Sequence, residues 1–200
     1  MLCELHALGS HPVLTWLLLS ALGVVAVFTM SGSVFASYYL RPTYSQWRRK
    51  LNPSYPPADA VRSEVLQTLK GLLTATICPA ASLALAQRGL SQAYCGLPAG
   101  HTAAEQVLAF FAIWVVCDFY EWGYHWLGHS APFFWSQHRP HHVFYNPSPF
   151  AVIADDMLDQ FVRSAPLLLL PLLVPVNIDL LFFTFVGFFY LYGTYLHWGE

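Results

Sequence analysis

With 200 residues, 56% of them hydrophobic and only 10% charged, the chain lies far from the balance of a soluble globular domain, where about a quarter of residues are charged. A formal net charge of -2 offers no broad basic field, so nucleic acid as a partner has no electrostatic support. The cysteines Cys3, Cys78, Cys95 and Cys117 have no paired spacing, which argues against iron-sulfur clusters, zinc ribbons and a disulfide framework and leaves free, apolar-embedded thiols as the expectation.

Residues 13–40 are almost free of charge and exceed the roughly 20 residues that a spanning helix needs, so they are read as span one. Glu4 sits where a secretory signal would carry positive charge, and the apolar run is too long for one, so the segment is read as retained. From Arg41 to Glu64 the chain turns polar, with Arg48, Arg49, Lys50 and Arg62 among Pro42, Pro53, Pro56 and Pro57; a loop is expected. Residues 65–86 form span two, with Lys70 placed to snorkel and Pro79 a predicted kink. A Gly- and Pro-containing connection follows at 89–103. Apolar character then resumes at Val107 and runs to Tyr120 as span three.

The last apolar region, Ala165 to Leu196, is interrupted by Pro171, Pro175, Asn177 and Asp179. Two legs of about 12 to 18 residues are expected, forming a helical hairpin that dips into or barely crosses the bilayer. The fold class is therefore all-α: one integral membrane helical bundle over 1–200, with three spans plus a C-terminal helical hairpin. Loops rich in Lys and Arg stay cytoplasmic, which puts the 41–64 loop and the segment after Tyr124 on the cytosolic face.

Five of the nine histidines fall within eighteen residues: His125, His129, His138, His141 and His142. On a helix, His125 and His129 lie one turn apart on one face. His138, His141 and His142 repeat three- and four-residue separations, although Pro140 must either kink that group or start a new helical turn. Neutral imidazole suits iron, zinc, copper or nickel, and spacing does not choose among them. Upstream, Asp118 and Glu121 share the stripe of His125 and His129, so a carboxylate there could orient a ligating ring; the alternative is that both solvate the interfacial end of span three.

His197 is the sixth candidate. If 165–196 is a hairpin, it returns to the face of the other five. A lone HxxxH arises often by chance, and aromatic-rich interfaces hold histidine as an anchor; two groups nine residues apart after a membrane span favour metal binding instead. His6, His11 and His101 are read as unrelated surface residues. A haem carrier would need its histidines on facing spans inside the bilayer.

The stretch Asp118-Phe119-Tyr120, then Tyr124-His125 through His129, Pro132, Trp135, His138-Arg139-Pro140-His141-His142 and Asn146-Pro147 resembles the first two histidine boxes, with their flanks, of the fatty acid hydroxylase and sterol desaturase superfamily. The resemblance implies that His125, His129, His138, His141 and His142 ligate metal and that His197 is the isolated histidine before a last box. It implies two non-haem iron ions, oxygen-dependent hydroxylation or desaturation of a sterol or fatty acyl lipid, electrons from cytochrome b5 or a reductase, and an endoplasmic reticulum membrane with a cytosolic histidine face. Three features depart from the pattern. Trp126 stands where arginine is common, Ala154-Asp155-Asp156-Met157-Leu158-Asp159 stands where a His-Pro-x-Glu-like element is often found, and a further HxxHH-type box is expected beyond Glu200. The alternative is a non-catalytic truncated relative that binds lipid or pairs with a full-length subunit.

Overall fold

The computed structural model describes residues 10–40, 48–52, 54–97 and 102–198. Cys3, Glu4, His6, His101 and much of the polar loop after Arg41 lie outside the described residues. Helix α1, Pro12–Phe35, opens on a proline whose missing N–H costs nothing in a first turn and continues as a wider π turn, Ala36–Leu40. Span two begins earlier than the hydropathy suggested: α2, Ala58–Ala75, starts directly after the two prolines, so residues 58–64, expected in the loop, are helical. It gives way at Thr76 to α3, Ile77–Gln87, because Pro79 has no N–H to offer the Ala75 carbonyl. The Thr76 hydroxyl steadies the break, contacting Leu72 O at 2.8 Å and Ser20 Oγ on α1 at 2.7 Å.

Span three is α4, Ala103–Ser130. It starts on a capping box in which Glu105 N–H donates to Thr102 Oγ1 (3.3 Å) and Thr102 N–H donates to Glu105 Oε2 (2.6 Å). It ends before Pro132, whose ring disfavours helix at Ala131 but opens α5, Pro132–His138. Two short 3-10 turns follow, Arg139–Val143 and Pro149–Ile153, then α6, Met157–Arg163, capped by the Asp156 side chain, and α7, Pro166–Leu173. Pro140 starts a new turn.

The hairpin is present but unequal. Its tip carries the interrupting Pro, Asn and Asp residues, and β2, Val176–Asn177, pairs in parallel there with β1, Ala93–Tyr94, in the connection after α3. Asn177 caps the return leg by accepting from Leu180 N–H at 3.1 Å. That leg comprises α8 (Ile178–Phe182), a π segment (Phe183–Phe189) and α9 (Tyr190–Trp198). At 21 residues it is long and apolar enough to cross a membrane, so the described residues contain four candidate spans rather than three plus a pair of short legs. Cys95, just past β1, is disulfide-bonded, which corrects the expectation of four free thiols; Cys78 and Cys117 are free and buried.

Apolar burial alone does not drive helices together in lipid, so close packing and interhelical hydrogen bonds carry the association. One apolar cluster joins Leu19, Leu83, Ile113, Leu181 and Phe182 near the hairpin tip, and a smaller one joins Val27, Leu72 and Phe150. Between them the 148–153 segment enters the bundle without α-helical hydrogen bonding, a course tolerated at membrane depth only where protein satisfies the backbone. The spans supply the partners. Thr68 Oγ1 donates to Phe150 O (2.6 Å) and Ser31 Oγ to Pro149 O (2.7 Å). The fully buried Glu64 carboxylate accepts the Ser148 N–H at 3.1 Å and its hydroxyl. Gly71 permits the approach: a Cβ there would sit 2.8 Å from Ile153 O and 3.0 Å from Gln160 Cγ.

Two substitutions test this seat. Gly71→Ala should lower stability by about 1–3 kcal/mol through overpacking, whereas Gly123→Ala, which meets nothing within 4 Å, should be neutral or slightly stabilising. Glu64→Ala should cost about 1–3 kcal/mol by leaving buried donors unmet. Thermal unfolding in detergent, followed by loss of helical signal, reads all three.

Candidate metal centre

The six histidines named from the sequence arrive from three parts of the chain. His125 and His129 lie on the last turns of α4, His138 ends α5, His141 and His142 occupy the 3-10 turn after it, and His197 lies near the end of α9. All six are brought to one end of the bundle, in two groups. In the first, one nitrogen each from His125, His129, His138 and His142 lie within 4.8 Å of one another, and His142 Nε2 is 3.0 Å from His138 Nε2. In the second, His197 Nε2 is 3.4 Å from His141 Nε2. The His138 and His141 ring centroids are 5.8 Å apart, so the two groups adjoin. The hairpin returns His197 to the side of His141, as the turn residues at its tip suggested. His11 is exposed and takes no part.

The outer nitrogens decide which way the inner ones face. His141 Nδ1 lies 2.9 Å from Asp155 Oδ1, His138 Nδ1 lies 3.4 Å from Asp159 Oδ2, and His197 Nδ1 lies 2.8 Å from Gly193 O. Carboxylate and carbonyl oxygens only accept, so these neighbours favour the proton on each Nδ1, and a ring in that neutral tautomer presents its Nε2 lone pair inward. Two such lone pairs at 3.4 Å repel unless a cation lies between them.

These partners come from a segment that sequence reasoning did not credit. The expected orienting carboxylates, Asp118 and Glu121, do not serve: Asp118 is exposed, and Glu121 accepts from Arg163 Nε at 2.8 Å instead of from a histidine. Asp155 and Asp159, fully buried, do. Asp159 also accepts from Tyr124 OH at 2.8 Å, and Asp155 from Arg163 Nη1 at 2.7 Å and from Gln160 Nε2. The available signal was the Asp155-Asp156-x-x-Asp159 pattern, whose outer carboxylates stand four positions apart, one just before the Asp156 cap of α6 and one in its first turn.

Burial opposes charge on Asp155, yet the Arg163 guanidinium and the His141 ring hold it well below the usual carboxylate range. Burial likewise works against the Arg163 charge, but Glu121, Asp155 and Asp159 more than offset it and raise its pKa. Both groups remain ionised throughout the physiological range. The His142 pKa is lowered by burial and by its neighbours His138 and His141, which favours the neutral ring able to donate a lone pair.

Gly128 makes the first group possible. A Cβ there would come within 3.0 Å of the His138 ring, so the bare backbone lets that ring lie against α4. A cleft of about 320 Å³ opens beside the second group, lined by His141, His142, Phe144, Tyr145, Pro147, Ala151 and His197. An apolar cavity of about 170 Å³ lies elsewhere, between Ala109–Val116 of α4 and the hairpin tip at Leu170 and Val174–Asn177. It sits roughly 20 Å along α4 from His125 at 1.5 Å per residue.

The donor chemistry fits a metal. Imidazole nitrogens each about 2.1 Å from one ion lie up to ~4.2 Å apart, so a set spanning 4.8 Å needs only side-chain adjustment to close. The ring centroids of the first group are 4.5 to 6.0 Å apart, which leaves no room for a porphyrin between them.

Residues 110–200 match the family described as fatty acid hydroxylase. The chain is 28% identical over 142 residues to a Delta(7)-sterol 5(6)-desaturase, erg3A, of Aspergillus fumigatus, an alignment covering 71% of this chain and 40% of that protein. The chain thus spans about two fifths of the length of the curated relative it matches. No solved structure matches. Residues 110–200, which hold all six converging histidines, are thus similar to the fatty acid hydroxylase family, and the chain resembles a sterol desaturase at 28% identity over 142 residues.

Proposed function

We propose that the protein oxidises an unactivated carbon-hydrogen bond of a membrane lipid with dioxygen, by hydroxylation or desaturation, at two non-haem iron ions held by His125, His129, His138, His141, His142 and His197. The carrying observation is the inward convergence of ring nitrogens in two adjacent groups, with the outer nitrogens of His138, His141 and His197 each set against a carboxylate or carbonyl oxygen. Four imidazoles would hold one ion and the His141–His197 pair would contribute to the second. Bound iron supplies the oxygen chemistry that side chains lack. The chain's own part is to hold the ligating rings neutral and oriented and to seat the substrate.

A sterol or fatty acyl substrate follows from the setting. The histidines lie at the ends of apolar spans, and the 320 Å³ cleft beside His141 and His197 has apolar walls in Phe144, Pro147 and Ala151, so a lipid moving in the plane of the bilayer can present a carbon there. The cysteine chemistry supports a cytosolic histidine face and an endoplasmic reticulum membrane: the Cys95 disulfide stands at the hairpin-tip end, and disulfides persist on the oxidising side. The Arg- and Lys-rich 41–64 segment indicates the same orientation. Cytochrome b5 or a reductase at that face would deliver electrons.

A second reading is a non-catalytic relative that binds metal or lipid or pairs with a longer subunit. It is favoured by the exposure of His125, His129 and His142 and by the two donors that the second group offers among the described residues.

Iron analysis of the purified protein should find bound iron that falls in His141→Ala and His142→Ala and stays unchanged in His11→Ala; equal effects of all three sink the assignment. Gly128→Ala should weaken iron binding by displacing the His138 ring while leaving the helical signal intact. In bilayers given ferrous iron, reductant, a reductase system and sterol or acyl lipid, mass spectrometry should detect a product heavier by one oxygen or lighter by two hydrogens. Bound iron with no product from either lipid class would favour the second reading.

A further inference from the structure

We propose that Arg163 is a positioning residue for the metal centre, acting through Asp155 on His141. The inference rests on the metal-binding reading above and assigns a role to a side chain outside the six histidines. Arg163 ends α6 and joins three parts of the chain: Nε donates to Glu121 Oε2 on α4 (2.8 Å), and Nη1 donates to Asp155 Oδ2 (2.7 Å) in the segment before α6. Asp155 turns its other oxygen to His141 Nδ1 at 2.9 Å. The result is a linear relay, Glu121–Arg163–Asp155–His141, ending on a ring whose Nε2 faces His197.

The geometry makes each link depend on the one before. The Asp155 side chain is only 1% exposed, and an ionised carboxylate that far from water keeps its place only with a charge partner and its remaining lone pairs met. Gln160 supplies one amide donor, but Arg163 supplies the only guanidinium in contact with Asp155 among the described residues. The planar fork matters as much as the charge, since two of its nitrogens hold two carboxylates at fixed directions. Glu121, from span three, keeps the fork from rotating. Asp159 and Tyr124 form a parallel support for His138 in the four-histidine group. The two groups are therefore oriented by different carboxylates, both carried by the 155–163 segment, and Arg163 serves the His141 side.

The test is cobalt(II) titration of the purified full chain in detergent, followed by the visible absorption of bound cobalt, with helical signal monitored in parallel. His141→Ala identifies the binding event to which His141 contributes. At that event Arg163→Gln should weaken cobalt binding roughly ten- to hundredfold, Asp155→Asn by a similar factor, and the double variant no further than either single one, because both break the same relay. Arg163→Lys, which keeps the charge and loses the fork, should recover only part. Unchanged affinity in a folded Arg163→Gln protein overturns the proposal, as does a double variant in which the two losses multiply. Should Arg163→Gln lose its helical signal, Asp155→Asn decides alone, and unchanged affinity there overturns the relay. A wild-type chain that takes up no cobalt removes the metal centre itself, an outcome distinct from a wild type that binds and an Arg163→Gln that binds equally well.

Discussion

The centre depends on one constraint: a neutral imidazole has a single N–H, so when its outer nitrogen donates to an acceptor its inner nitrogen presents a lone pair. His138, His141 and His197 are each committed this way, to Asp159, Asp155 and the Gly193 carbonyl. Once they are, the 3.4 Å between His141 Nε2 and His197 Nε2 is a contact between two acceptors, unfavourable unless a cation shares both. The same logic makes His138 an inward donor to the four-histidine group. Histidines placed at an interface merely as amphipathic anchors would have no reason to bury their outer partners or to aim their inner nitrogens at one another.

That commitment requires carboxylates at a depth where charge is costly, and the fold delivers them by an indirect path. After the second histidine group the chain enters the bundle at Ser148, crosses behind the histidines through Asp155, and leaves along α6. Glu64, Thr68 and Ser31 meet its backbone from spans one and two, and Gly71 leaves the space it occupies. The spans thus form the container and also hold, by polar contacts, the segment whose carboxylates face the histidine rings. The fit between α2 and residues 148–160 therefore bears on the site.

Much of this was legible in the sequence, and the unread parts share a cause. Spans announced themselves by length and absence of charge, and the hairpin by Pro171, Pro175, Asn177 and Asp179. The histidines were found by spacing, because i and i+4 on a helix is a local relation. The orienting partners were not found, because Asp155 and His141 are adjacent only once the 3-10 turns between them have folded. Local periodicity pointed to Asp118 and Glu121, which share a helical stripe with His125, but the stripe takes no account of Arg163, which draws Glu121 away. Residues 58–64 were missed as helix because charge and proline density mark a loop, and the cost of burying Glu64 is met by Ser148, eighty-four positions later. The Cys95 disulfide escaped because it follows no paired spacing.

The distribution of charge gives a further argument. Only 20 residues are acidic or basic by the sequence counts of 9 and 11, yet Asp155 and Asp159 are fully buried against His141 and His138, with the half-buried Arg163 and Glu121 linked to them behind. Stability alone does not favour that arrangement, since well-packed apolar residues in place of a buried ion network are often neutral or stabilising. In a membrane-embedded chain, ionisable groups away from water mark the working part of the molecule. Here they form a layer directly behind the imidazoles, with Asp155 and Asp159 turned toward ring nitrogens and Arg163 holding Asp155 to span three. A layer so arranged gives the bundle little that leucines would not. Its physical return is the fixed orientation of rings that would otherwise turn freely, which is what a ligand set needs before a metal arrives.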